Sequence, residues 1–184
     1  MDSVFTTQRI AKAVNVSELI SANLSIPNYQ RPYTWRDKHV LQLMDDLKEA
    51  YDSRNNGNSN YLIGTIIIYN TINNSGSYDI VDGQQRLTTL SLILIILDNS
   101  TSIGLGDQKY NHLDSQKNLK ANYHLIKQWI EKKDIDKVAF RNYILGNVWF
   151  VQILAPSQDE AFIFFDSQNS RGKPLEKYDL LKAH

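Results

Sequence analysis

Residues 81–87 read Val-Asp-Gly-Gln-Gln-Arg-Leu, a short polar run between two of the most apolar stretches of the chain. Before it lie Tyr61–Tyr69 (YLIGTIIIY) and Tyr78–Val81, which are typical of β-strands, and after it comes Leu87–Leu97 (LTTLSLILIIL). This order predicts a hairpin of two strands, the second of which ends at Asp-Gly and turns directly into a buried helix. The link between the strands, residues 70–77, is too long for a tight turn.

The predicted turn places polar side chains at a helix N-terminus, where unpaired N–H groups and the helix dipole favour a phosphate. We expect Arg86 to contact phosphate and Gly83 to allow close approach of the backbone. Gln84 and Gln85 would position water or ribose, and Asp82 would hold Mg²⁺ or orient the attacking water. The structural alternative is a tight turn with an N-capping aspartate. Three long polar side chains beside a core helix favour the functional interpretation, because they are costly without partners.

Composition sets wider bounds on function. The 184 residues include 20 basic and 20 acidic ones, so the zero net charge implies no general attraction to nucleic acid or membrane. The chain has no cysteine, which excludes disulfides, thiolate metal sites and a cysteine nucleophile. Its N-terminus lacks the pattern of a signal peptide, and Leu87–Leu97 is too short to span a bilayer. We therefore predict a cytoplasmic protein.

The pattern along the chain predicts an α+β fold. Val16–Leu24 indicates a short helix, and Thr34 with Asp37 resembles a capping box that opens a second helix. An apolar stripe at helical spacing supports that second helix. Its members are Val40, Leu43, Met44, Leu47 and Tyr51.

The second half of the chain reads as mainly helical. Apolar residues at helical spacing predict one helix, with Leu119, Tyr123, Ile126 and Ile130 on its apolar face. A further helix is predicted over residues 135–145. The β-rich run at 147–154 is apolar on both faces and is a candidate buried strand. Ser157 with Glu160 then opens another helix in capping-box form. We predict a nucleotide-binding core over residues 1–100 and a mainly helical segment over 101–184 that closes the pocket. The helical pattern stops at His184 without a cap, which indicates a chain cut from a longer protein.

A second candidate block precedes the apolar hairpin and reads Tyr29-Gln30-Arg31-Pro32-Tyr33-Thr34-Trp35. Arginine forks suit phosphate and aromatic rings suit bases, so Gln30 and Arg31 are predicted to reach phosphate while Tyr29 or Tyr33 packs on a base or contacts DNA. The structural alternative is a set of aromatic side chains that anchor the following helix, with Arg31 in a salt bridge.

Three blocks together carry a resemblance to a known family. DGQQR at 82–86, IPNYQRPYTW at 26–35 and FDSQNSRGKPLEKYDLL at 165–181 occur in the order found in the N-terminal domain of GmrSD-type modification-dependent restriction proteins. The resemblance implies a ParB/sulfiredoxin-like core, a small mixed sheet with helices. It also implies that an NTP is bound and hydrolysed at the DGQQR segment, coupled to a downstream nuclease domain that acts on DNA.

The last block adds two candidate ligands. Through the family's Phe-x-x-x-Asn block, the resemblance implies that Asn169 and Arg171 close over the nucleotide from the far side of the pocket. Gly172-Lys173 is not a Walker A motif, because position 167, where that motif requires glycine, is serine. The structural alternative for this block is a helix C-cap with solvated basic residues.

Three hypotheses for function follow. The preferred one is an NTP-hydrolysing sensor domain that controls a nuclease; the others are a module that binds modified DNA, with a purely structural DGQQR, and a ParB-like regulator switched by nucleotide. The sequence contains no Gly-x-Ser-x-Gly elbow and no His-Asn-His nuclease motif. Its four histidines, His39, His112, His124 and His184, lack metal-ligand spacing. We therefore predict that this chain alone does not cut DNA.

Overall fold

The computed structural model describes residues 10–56, 60–71, 76–103, 105 and 112–170, without the side chains of residues 10, 55, 56 and 168–170. These residues form five strands and six α-helices, which confirms the predicted α+β class. The strands are β1 (Ile10–Asn15), β2 (Asn23–Ser25), β3 (Tyr61–Asn70), β4 (Ser77–Asp82) and β5 (Val148–Ala155). The helices are α1 (Val16–Ile20), α2 (Asp37–Asp52), α3 (Gln84–Leu97), α4 (Leu113–Lys132), α5 (Lys137–Asn147) and α6 (Gln158–Ser170).

The strands form one mixed sheet in the order β1-β5-β3-β4-β2. β3 and β4 are the predicted antiparallel hairpin, while β5 runs parallel to β3 and antiparallel to β1. The β-rich run near residue 150 is thus the strand next to β3, and it joins the sheet from beyond the predicted boundary at residue 100. The division into two segments stays a prediction, with the sheet shared between them.

The two faces of the sheet carry cores of different size, because side chains alternate along each strand. Ile66 and Ile68 of β3 point into the large core, which the helices α2 to α5 cover. Ile67 and Tyr69 point to the other face, where a small cluster with Val81 packs against α6. α3 is buried on most of its surface because it lies between the sheet and the helices α4 and α5.

Several predicted helices and strands are confirmed. Four of the five stripe residues of α2 are buried, and Tyr51 is partly buried against the same core. α3 ends at Leu97, close to the end predicted near Asp98-Asn99, and Asp98 is its C-cap. At the start of α6 the backbone N–H of Glu160 donates to Ser157 Oγ at 3.3 Å, in agreement with the predicted cap.

Other local predictions are wrong. The helix predicted over Val16–Leu24 ends at Ile20, and Leu24 is instead the buried residue of β2. The helix predicted to open at Thr34 begins at Asp37, and its N-cap Arg36 makes no side-chain capping bond. In α4 the core-facing positions include Asn122 instead of Tyr123, whose side chain is exposed. The polar residue faces the core there because it finds hydrogen-bond partners in the loop before α2.

No helix among the described residues combines the length and apolar character needed to cross a membrane. The cytoplasmic location stays a prediction. The helical pattern expected over residues 175–184 lies outside the described residues, as do residues 72–75 of the link predicted over 70–77. Asn70 is the last residue of β3 and Ser77 is the first of β4.

Candidate functional site

A cavity of about 460 Å³ opens where β4 ends and α3 begins. Its other walls come from the segment before α2 and from α6 on the small-core face of the sheet. It brings together eight of the residues that the sequence predicts for the site, and adds three aromatic side chains and one valine that the sequence did not assign to it. The lining residues are Tyr29, Gln30, Arg31, Trp35, Val81, Asp82, Gly83, Gln84, Gln85, Arg86, Phe162 and Phe165.

Gly83 makes the sharp turn from β4 into α3 possible. Its φ of +93° is in the left-handed region, and a Cβ at this position would lie 2.6 Å from Cγ2 of the fully buried Ile66. As the N-cap, Gly83 provides no side-chain cap for the helix. The first turn of α3 therefore presents its backbone N–H groups and the positive end of the helix dipole beside the cavity.

The side-chain amide of Gln85 forms hydrogen bonds with three backbone groups of the segment before α2. Its Oε1 accepts from the N–H groups of Thr34 and Trp35 at 2.9 and 3.1 Å, and its Nε2 donates to the carbonyl of Pro32 at 3.1 Å. The side chain is 6% exposed. This amide joins α3 to the segment before α2 and fixes the wall of the cavity.

Gln84 is as deeply buried as its neighbour but is bonded differently. Its side chain is 5% exposed, and its Oε1 has no hydrogen-bond partner among the described residues. A buried acceptor without a partner costs free energy. Because Gln84 lines the cavity, this acceptor is a candidate to bond to a bound molecule or water.

Arg86 of α3 and Asp82, the last residue of β4, form an ion pair four residues apart in sequence. Arg86 Nη2 lies 3.5 Å from Asp82 Oδ2 and donates to the carbonyl of Thr65 at 2.6 Å. Both described contacts use Nη2, so the guanidinium retains donors on Nη1 and Nε. The pair is about a quarter to a third exposed, which leaves it open to a ligand in the cavity.

The segment before α2 supplies Gln30 and Arg31. Gln30 Nε2 donates to the carbonyls of Ile80 and Val81 at 3.1 and 2.8 Å, so its amide pairs with β4 just beyond the place where β2 ends. Arg31 lines the cavity, is exposed, and forms no ion pair within the described ranges. Gln30 thus holds the segment in place, while Arg31 brings an uncompensated positive charge.

Tyr33 does not reach the cavity, which corrects its prediction as a base or DNA contact. The side chain is fully buried, and its hydroxyl bonds to Thr89 Oγ1 at 2.7 Å and accepts from Asn122 Nδ2 at 3.0 Å. This ring has a structural role, because these partners lie on α3 and α4. A residue held between two helices in the core is not available to a base.

Tyr29 does line the cavity and is 46% exposed. Its ring lies 5.5 Å from that of Phe162 on α6. Its hydroxyl bonds to Tyr69, whose own hydroxyl donates to Asp79 Oδ2 at 3.0 Å. Burial raises the pKa of Tyr29, and the Asp79 carboxylate raises it further. Tyr29 is therefore a neutral, oriented ring at the mouth of the cavity.

The sequence did not assign Trp35, Phe162 and Phe165 to the site. Phe162 and Phe165 lie three residues apart on α6, so they share one face of that helix. That spacing was a usable signal, but it did not show which part of the sheet the helix would cover. Asn169 lies in the last turn of α6, its side chain outside the described part, and Arg171 follows beyond the described residues.

The described residues contain no group of three His, Cys, Asp or Glu side chains that could hold a metal ion. Among the described residues that line the cavity, Asp82 is the one carboxylate. Mg²⁺ commonly binds through one or two carboxylates together with substrate phosphates. The donor set thus fits a Mg²⁺ ion that arrives with a nucleotide.

Comparison with known proteins identifies the domain. The model of the family described as "GmrSD restriction endonuclease, N-terminal domain" matches residues 15–184, which is most of the chain. A search among curated proteins finds none that matches. The matched range contains the whole cavity lining and the three sequence blocks at 26–35, 82–86 and 165–181. The chain belongs to the family of GmrSD restriction endonuclease N-terminal domains, and is thus part of a restriction protein.

Proposed function

We propose that this domain binds and hydrolyses a nucleoside triphosphate in the cavity at the start of α3, and that the bound state regulates the nuclease of the restriction protein. One observation carries the proposal: an uncapped helix N-terminus, two arginines and Gln84, whose buried Oε1 has no partner among the described residues, all line one cavity. This combination offers positive charge, N–H donors and one unused buried acceptor.

The charges around the cavity support phosphate binding. The backbone N–H groups of the first turn of α3 favour an anion, and Gly83 lets it approach the backbone closely. Arg86 approaches from the sheet side, with donors to spare on Nη1 and Nε. Arg31 approaches from the segment before α2 and has no competing carboxylate among the described residues. A triphosphate matches this set better than a neutral ligand does.

The chemistry is divided among the residues of the turn. Gln84 Oε1 accepts from the attacking water or from a ribose hydroxyl, which removes the cost of its unpaired state. Asp82 orients that water, or would hold the metal of the nucleotide, while Arg86 keeps its bond to the Thr65 carbonyl and contacts phosphate through Nη1 and Nε. A Mg²⁺ ion that came with the nucleotide would neutralise charge on the phosphates, and Asp82 is the residue that would hold it.

Gln85 and Gln30 have a different role in this proposal from Gln84. Their amides bond to backbone groups, so they position the segment before α2 against α3 and β4. We assign them to positioning, and assign contact with the nucleotide to Asp82, Gln84 and Arg86. The rings of Tyr29, Trp35 and Phe162 provide stacking surfaces for the base. Asn169 and Arg171 stay candidates to close the site from the end of α6.

The decisive experiment measures binding and turnover separately. A thermal-shift screen with each NTP and Mg²⁺ reports binding, because a ligand at a hundred times its dissociation constant stabilises the fold by roughly 2.7 kcal/mol. Phosphate release reports hydrolysis. Asp82→Ala and Arg86→Ala abolish hydrolysis in folded protein, and Arg31→Ala and Arg171→Ala each weaken nucleotide binding. Wild-type turnover in both of the first two variants would overturn the assignment.

Arg36→Ala is a matched control for Arg31→Ala, because Arg36 is a nearby exposed arginine that does not line this cavity.

A DNA-binding function with a structural DGQQR predicts binding of DNA that does not depend on nucleotide. Duplex DNA would then bind equally with and without NTP, and Arg86→Ala would reduce DNA binding without any nucleotide effect. Self-association that depends on nucleotide would instead support the ParB-like regulator.

A further inference from the structure

We propose that Gly64, a residue outside the DGQQR turn, is a positioning residue for Arg86: the bulge that it forms in β3 is the seat of the guanidinium. The inference rests on the proposed function, because Arg86 is assigned there to phosphate. It adds a site residue from the sheet that no motif in the sequence indicates.

The bulge is a local departure of β3 from regular pairing. The register between β3 and β5 shifts between Leu62 and Gly64, and Gly64 has a φ of +135°. An extra residue in one strand bends it and re-aims its neighbours. Here the bend lies directly before Thr65, whose carbonyl accepts from Arg86 Nη2 at 2.6 Å.

The guanidinium occupies the space that a side chain at position 64 would need. A Cβ added at Gly64 would overlap Arg86 Nη1 and lie 3.3 Å from Cζ. Any side chain there displaces the guanidinium from the Thr65 carbonyl. It also disturbs the 3.5 Å ion pair with Asp82, which uses the same nitrogen.

The seat matters because Arg86 stands between two cavities. Besides the 460 Å³ cavity, it lines a second one of about 260 Å³ on the side of α2, together with Trp35, His39 and Tyr61. A long arginine side chain has many rotamers, so an unseated guanidinium can turn away from the phosphate site into that second space. The bulge selects the rotamer that serves the α3 N-terminus.

Gly64 differs in this respect from Gly83. At Gly83 an added Cβ meets Ile66, a branched side chain in the packed core, whereas at Gly64 it meets the far end of a flexible side chain. Filling position 64 therefore moves Arg86 more readily than it moves the core. A side chain at position 64 therefore weakens the ligand site by moving Arg86, and it also strains the backbone because φ is positive there.

The first test measures nucleotide affinity with Mg²⁺ for wild type, Gly64→Ala, Arg86→Ala and the double variant. Gly64→Ala weakens triphosphate binding by about tenfold to a hundredfold, the range for losing a hydrogen bond to a charged group. The double variant binds no more weakly than Arg86→Ala alone, because both changes remove the same contact. Wild-type affinity in Gly64→Ala, or losses that multiply in the double variant, overturns the inference.

Gly146→Ala is the matched control, since a Cβ there meets nothing within 4 Å. It keeps wild-type affinity, and a loss there equal to that of Gly64→Ala would overturn the inference as a general effect of losing a glycine.

The second test needs no nucleotide, so it separates this inference from the proposed function. Melting temperatures of the same four proteins form a double-mutant cycle. Gly64→Ala lowers Tm by about 3 °C or more in the wild-type background and by clearly less in Arg86→Ala, where the overlap is absent. Equal shifts in both backgrounds overturn the inference. If Gly64→Ala does not fold, recovery of folding in the double variant supports it and failure of both overturns it. If the Tm shifts of Gly64→Ala and Arg86→Ala are coupled but the wild-type protein binds no nucleotide, the proposed function is rejected. The position of Arg86 against Gly64 is then still supported.

Discussion

The two ends of α3 carry the same kind of ion pair in different surroundings. At the N-terminal end Asp82 lies 3.5 Å from Arg86, in the wall of a cavity. At the C-terminal end Asp98 pairs with Arg141 of α5. Asp98 also accepts from the backbone N–H and the hydroxyl of Ser100 at 3.0 and 2.8 Å. Its acceptors are thus used within the chain.

The difference separates an end of the helix whose polar groups are bonded within the chain from an end that lines a cavity. The C-terminal pair fastens the segment after α3, and its hydrogen bonds lower the pKa of Asp98 to about 2. At the N-terminal end, the helix N–H groups, two guanidinium nitrogens and Gln84 Oε1 have no partner among the described residues. Substitutions at the cavity end that spare the core should alter binding, and those at the far end should alter stability.

Gly83→Ala gives the largest expected loss of stability, because Gly83 lines the cavity and also packs against the buried Ile66. The positive φ and the overlap with Ile66 together lower the free energy of unfolding by about 2–4 kcal/mol. Urea denaturation measures it, with Gly146→Ala as the control in open space. A loss below about 1 kcal/mol would mean that the turn into α3 adapts.

The two neighbouring glutamines sharpen the comparison. Gln85→Met removes an amide that serves three backbone groups and lowers the free energy of unfolding by about 2 kcal/mol. Gln84→Met, of similar shape, changes it by less than about 1 kcal/mol, because the acceptor that it removes has no described partner. Chemical denaturation of both variants checks this. Equal losses would show that Gln84 Oε1 is satisfied within the fold.

Asp98→Ala tests the far end of the helix through pH. The folded pKa of about 2 is below the ordinary 3.8, first because the Ser100 N–H bonds the charged form. Folding therefore favours the ionised carboxylate. The contribution of this carboxylate to the free energy of unfolding is complete above pH 3.8 and is lost as pH falls through about 2. The wild-type urea midpoint exceeds that of Asp98→Ala at neutral pH, and the difference shrinks in acid. A constant difference between the two midpoints from pH 7 to pH 2.5 would contradict this. Nucleotide affinity of Asp98→Ala is expected to stay at the wild-type level.

Asp82→Asn has the smallest expected effect on the fold. A partly exposed ion pair contributes at most about 1 kcal/mol, so the melting curve without ligand stays close to wild type. Hydrolysis of NTP is lost in the same protein, because the carboxylate is gone from the cavity. A large fall in stability would place Asp82 in the supporting structure, and the two ends of α3 would then serve the same purpose.

Much of the site could be predicted from the sequence because its central elements are local. The hairpin, the Asp-Gly turn and the apolar helix follow from side-chain period and glycine position within residues 61–97. These features bring residues 82–86 to a helix N-terminus without any knowledge of the rest of the fold. The block at 29–31 was also placed at the cavity, through motif chemistry and the family resemblance.

Only the tertiary structure could separate residues of the same type within that site. Gln84 and Gln85 are adjacent and equally buried, yet one is bonded by a segment 50 residues away and the other is not. Tyr33 is in the core and Tyr29 at the cavity because their partners come from different helices. Gly64 and Phe162 reach the site through strand pairing and helix packing. Such contacts join distant parts of the chain, so local periodicity carries no record of them, and packing of the whole sheet decides them.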